Sequence, residues 1–172
     1  MKPRLFLADS GYGIEVEFRE ELTRGGLPYV VGIRGDCVVW PPGFAPPPIP
    51  PKPVGMSGPA RTRYRYGEAK PVAVEKLAAG LPRTAWTSVS WREGAKGARS
   101  SRFAALRVRT AHRHHLGLAP GDEQWLLCEW PRREKAPTKF HLSTLPADTL
   151  SGHPKPANEG PLKTGQWGGP RR

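Results

Sequence analysis

A short apolar run, Leu5 to Ala8, ends on one carboxylate, Asp9, and passes at once into Ser10-Gly-Tyr-Gly13. That junction limits what the chain can become. Four consecutive apolar residues read as a short strand buried on both faces. Two glycines flanking Tyr12 free the backbone to turn sharply just past it. A helical pattern follows, with Val16, Phe18 and Leu22 on an apolar side and Glu15, Glu17, Arg19, Glu20 and Glu21 on a polar one. Gly25-Gly26 is a natural helix stop. Leu27 to Ile33 then reads as a second buried strand. Strand, turn, helix and strand within about thirty residues is the sequence form of a βαβ unit. In open α/β sheets ligands gather at the carboxyl ends of strands, where this pattern puts Asp9. An Asp between strand and helix is also the ordinary helix N-cap, so the pattern alone leaves two readings of Asp9.

Beyond Trp40 the chain changes character. Pro41 to Pro53 is too rich in proline for helix or central strand, and an extended, polyproline-II-like surface excursion is expected. Arg61-Thr-Arg-Tyr-Arg-Tyr66 alternates base and aromatic, so an extended backbone sets Arg61, Arg63 and Arg65 on one face and the tyrosines on the other. That suits a phosphate backbone with stacked bases, and equally an edge strand protected by charge. Glu68 to Ala79 has helical character, with Val72, Leu77 and Ala78 apolar and Gly80 as terminator. Strands are expected at Ala85–Trp91, Arg102–Arg109, Gln124–Trp130 and Thr138–Ser143. Trp86, Trp91, Trp125 and Trp130 are expected to supply the core of this β-rich part. Arg102, Arg107 and Arg109 are candidate phosphate contacts, and the alternation from Leu106 to Arg109 turns guanidinium groups to one side.

The 172 residues carry 27 Lys plus Arg against 15 Asp plus Glu, a formal charge of +12. This favours a polyanion, nucleic acid first, as partner. Only 37% of the residues are hydrophobic, and 21 prolines with 20 glycines point to a packed core smaller than the length suggests. Cys37 and Cys128, distant and apolar in context, fit buried thiols rather than a disulfide framework. No apolar run approaches the ~18 residues of a membrane span, and no signal-peptide pattern opens the chain. A cytoplasmic protein without membrane or small-molecule partner is the expectation. His112-Arg-His-His115 lacks a second ligand cluster at metal spacing and reads as a basic turn.

Leu7-Ala-Asp-Ser-Gly-Tyr-Gly13, Glu17-Phe-Arg19 and Gly26-Leu-Pro-Tyr-Val-Val-Gly-Ile-Arg34 together resemble the middle of a DDE-type transposase of bacterial insertion sequences. The resemblance extends through Val39-Trp-Pro-Pro-Gly43, Trp91-Arg-Glu-Gly94, Ser101-Arg-Phe-Ala104, Arg107-Val-Arg109 and Leu142-Ser-Thr-Leu-Pro-Ala-Asp148. It implies an α/β chain: an incomplete RNase H-like fold with a strand–helix–strand core and a β-rich insertion. It implies DNA as partner, Mg²⁺ as cofactor of the complete site, and Asp9 as the second of three catalytic, metal-binding carboxylates. Such a site holds two ions about 4 Å apart, one activating a nucleophile and one stabilising the leaving oxygen. Composition and resemblance together divide the chain into a partial core (1–40), a Pro-rich linker (41–67), a β-rich insertion region (68–149) and a tail (150–172). The family's Glu sits on a long helix after Asp148, where this chain is rich in proline and glycine, so Glu159 does not inherit the role. The expectation is an internal transposase fragment, inactive alone. A non-catalytic basic nucleic-acid-binding protein is the alternative.

Overall fold

The computed structural model describes residues 5–13, 15–47, 49, 51–59, 69–92, 97–112 and 121–150. The chain opens with strand β1 (Phe6–Ala8), a single helical turn α1 (Ser10–Gly13), helix α2 (Val16–Arg24) and strand β2 (Tyr29–Ile33). β1 and β2 pair in parallel, with Phe6 opposite Tyr29 and Ala8 opposite Val31. The strand, helix and strand expected between Leu5 and Ile33 are therefore present, with Asp9 directly after the first strand. α2 ends where the glycines predicted. Gly26 takes a left-handed φ of 65°, its N–H donates to Thr23, and the N–H of Leu27 reaches back to Leu22. This paired motif satisfies carbonyls that the helix end leaves open.

β3 (Val38–Trp40) follows. The described residues between 41 and 59 form no helix or strand, in keeping with the expected excursion. Arg61, Arg63, Arg65 and Glu68 lie outside the described residues. Where one helix was expected up to Ala79, the chain forms a two-residue strand, β4 (Val72–Ala73), and only then helix α3 (Val74–Ala79), with Gly80 at its C-cap. Val72 is drawn into extended backbone by antiparallel pairing with Val39. Tertiary pairing has overridden a weak local preference. The later strands match expectation closely: β5 (Thr87–Arg92), β6 (Ala98–Thr110), β7 (Gln124–Pro131) and β8 (Lys139–Ser143).

Among the described residues, eight strands join one sheet in the order β1-β2-β8-β7-β6-β3-β4, with β5 also paired to β6. β6 is the spine. One edge runs antiparallel to β7 from Ser101 to Val108, while the other pairs with β5 near its start and with β3 near its end. The register places Val31, Leu142, Leu126 and Leu106 in a row across four strands. With Tyr29, Ile33, Phe140, Cys128, Ala104 and Val108 they form the core, closed by Leu22 of α2 and by Val74 and Ala78 of α3. Both longer helices thus cover the same sheet face.

Three expectations fail here. β1 is not buried on both faces: it lies at the sheet edge, and Leu7 is 68% exposed. Phe6 meets Phe18 of α2 edge-on at 5.5 Å, a contact that adds to the pairing with β2. A continuous apolar run marks a buried strand only when both neighbours are present. The tryptophans do not form the core of the β-rich part, because only Trp125 among those four is buried, and Trp91 is 37% exposed. Aliphatic side chains fill that place. Arg19, assigned to the polar side of its helix, is 4% exposed.

Candidate functional site

Asp9 is exposed and caps α1. Its Oδ1 accepts the N–H of Gly11 at 2.9 Å, and its carbonyl accepts those of Tyr12 and Gly13. The capping role open in the sequence is thus fulfilled, by one carboxylate oxygen. Neither Gly11 nor Gly13 adopts a left-handed φ, so the sharp turn expected of them is not why they are glycine. A Cβ on Gly13 would sit 1.7 Å from the carbonyl oxygen of Gly32, and one on Gly32 would sit 2.8 Å from the Ser10 nitrogen. The two glycines let α1 lie directly on β2. A Cβ on Gly11 would fall 3.1 Å from Asp9 Oδ1, so even this position is shaped around the carboxylate.

Mg²⁺ prefers oxygen ligands in octahedral array. Asp9 suits one such position. Among the described residues no group of three or more His, Cys, Asp or Glu could hold a metal ion. The described residues do not fit a two-ion site. His112 lies in a turn, and His114 and His115 fall outside the described residues.

The arginines of β6 divide. Leu106 and Val108 are buried while Arg107 and Arg109 share the opposite face, as the alternation predicted. Both guanidinium groups are engaged. Arg107 bonds the Glu123 carboxylate at 3.3 Å and its carbonyl at 2.7 Å, and lies 5.0 Å from the Trp125 ring centre. Arg109 donates to the Gly121 carbonyl at 3.0 Å. They fasten the segment entering β7. Arg102, of opposite parity, belongs to the other face. Its guanidinium lies 3.7 Å over the ring of Trp130, its cross-strand partner, and Trp86 meets that ring edge-on at 5.4 Å. The sequence named these three residues separately, but only the register of β6 against β7 brings Arg102 and Trp130 together.

Three buried or half-buried groups complete the electrostatics. Burial pushes the Cys128 thiol up to about 12 and raises Cys37 as well, so neither behaves as a ready nucleophile. His141 is held below its ordinary range, first by burial, then by Lys139 against the opposing pull of Glu129. Glu129 itself accepts from Ser101 Oγ at 2.8 Å and pairs with Lys139 at 3.2 Å.

The family model described as DDE superfamily endonuclease matches residues 1–98, more than half of the chain. The chain belongs to this family. No curated protein and no solved structure matches it. The span matched to the DDE endonuclease family contains Asp9, the Gly13–Gly32 contact and β1 to β5. Arg102, Arg107, Arg109 and the likeness read from residues 101 to 149 lie beyond it. No helix among the described residues is long and apolar enough to cross a membrane.

Proposed function

We propose that this DDE endonuclease-family chain derives from an insertion-sequence transposase whose parent chemistry is metal-dependent DNA strand cleavage and transfer. The observation that carries the reading is Asp9, exposed at the carboxyl end of β1 within the family-matched span. The parallel β1–β2 pair with its crossing helix supports an RNase H-like core over 1–40, followed by a linker (41–67), a β-rich insertion (68–149) and a tail (150–172). Mg²⁺ is the cofactor of the complete family site, DNA the partner and the cytoplasm the compartment. One carboxylate leaves most of an ion's shell to water, so the 172 residues do not cleave DNA alone. Nicking of supercoiled plasmid in Mg²⁺ or Mn²⁺ is the test, with no cleavage expected. Cleavage lost on Asp9→Ala would overturn the inactivity. Supplying the family's other two carboxylates on a companion polypeptide should give nicking that depends on Asp9.

A second reading, a non-catalytic nucleic-acid-binding protein, is favoured by the +12 charge and the Arg102–Trp130 stack. Guanidinium and indole planes together offer charge for phosphates and a surface for bases. This reading expects DNA binding that no companion polypeptide converts into cleavage. Arg102→Glu should weaken that binding, and so should charge reversal at Arg61, Arg63 and Arg65.

A further inference from the structure

We infer that Arg19 is a positioning residue for Asp9, an assignment that rests on the reading of Asp9 as the chemistry-bearing carboxylate. Arg19 is 4% exposed, and its Nη1 donates to the carbonyl of Gly13. Its charge lies close enough to the Tyr29 hydroxyl and Cys37 thiol to favour their ionised forms, although burial outweighs it at both. A guanidinium is costly to bury, and an aliphatic residue at this point of α2 would cover the same core. What Arg19 adds is a donor aimed at one carbonyl.

That carbonyl closes α1, the turn that Asp9 opens. The N–H of Gly13 returns to the Asp9 carbonyl at 3.1 Å, and the Gly11 N–H holds Asp9 Oδ1 at 2.9 Å. α1 is four residues long, too short to persist by its own hydrogen bonds. Besides the Tyr12–Phe18 ring contact, two fixtures act at its last residue: the close contact of Gly13 with Gly32, which sets its height above β2, and Arg19, which ties its last carbonyl to α2. Release of the second leaves the turn free to fray from its C-terminal end, and the Asp9 carboxylate loses its fixed donor. Arg19 therefore acts on Asp9 through the backbone of α1, and its hydrogen-bond partner among the described residues is a carbonyl rather than a carboxylate.

NMR on the full 172-residue chain tests this without metal, DNA or activity. In the unmodified chain Asp9 should occupy one χ1 rotamer by its side-chain couplings, with a downfield Gly11 amide proton. In Arg19→Met the Asp9 couplings should average between rotamers, the Gly11 proton should move upfield, and Gly13 amide exchange should rise about tenfold, the effect of losing one charge-assisted hydrogen bond. Amide protection across β6, β7 and β8 should stay unchanged. Arg19→Lys, with a single compact ammonium in place of a planar fork, should fall between the two. Unchanged Asp9 couplings in a folded Arg19→Met chain overturn the inference, as does averaging already present in the unmodified chain. Loss of sheet protection in both variants would show a residue that sustains the whole fold rather than one that positions Asp9. The nicking assay probes the Asp9 reading separately, since these couplings are the same whichever way that assay falls.

Discussion

Gly13 and Gly32 show how much one missing methyl group can decide. An added Cβ at Gly13 would overlap a backbone carbonyl, which cannot swing aside as a side-chain tip can. Gly13→Ala should therefore destabilise the chain by about 1–3 kcal/mol in urea unfolding, at the level of core overpacking. Gly26 offers the contrast: open space surrounds it, but its φ is 65°. Gly26→Ala should cost about 1 kcal/mol through backbone strain alone. Both glycines stand out in the sequence, but only Gly26 could be explained there, because a helix stop is a local property. The approach of Gly13 to Gly32 joins two elements, and no local pattern encodes it. Arg19 was misplaced for the same reason: helical periodicity sorts residues by polarity, and a buried guanidinium bonded to a carbonyl runs against that sorting.

Among the elements, the strands of the second half were the most legible. β6 alternates buried and half-exposed residues from Ala104 to Arg109, a period written in side-chain polarity from Leu106 onward, while β7 shows itself as an apolar and aromatic run between turns. β1 misled because an apolar run reports the burial its strand can accept, not the burial it receives. β4 was missed because two residues carry no period at all. On β8, His141 sits between Lys139 and the Glu129 side of β7, and burial favours its neutral form. Its folded pKa lies below the unfolded value of about 6.5, so the unfolded chain binds the extra proton. Stability from this residue is complete above that pH and is lost as pH falls through the folded pKa. Denaturation midpoints should accordingly drop from pH 7 towards pH 5, and His141→Gln should flatten that part of the profile. A midpoint that rises over the same range would contradict the assignment.

For the whole molecule, charge was the plainest property of the sequence and the least spatially resolved. The total of +12 is countable, yet it could not show that Arg107 and Arg109 are spent on Glu123 and Gly121 while Arg102 rests on Trp130. DNA binding through phosphates should be weak, indifferent to sequence and steeply dependent on salt. With about four contacts, apparent affinity should fall roughly a hundredfold between about 50 and 200 mM salt in an anisotropy titration. Arg107→Gln should change that slope little, because its guanidinium is committed within the protein.

The pairing of β2 with β8 has a consequence in time. Val30 meets Ser143 and Ile33 meets Phe140, so one edge of β2 finds its partner only near the end of the sheet. On a ribosome adding about 5–20 residues per second, the roughly 110 intervening residues keep that edge waiting for about 5–20 s. Throughout that interval the nascent chain holds a Tyr-Val-Val-Gly-Ile segment with its backbone donors and acceptors unanswered on that side, the kind of template other chains pair with. Yield in the cell should therefore depend on translation speed and chaperone supply more than the stability of the finished sheet would suggest.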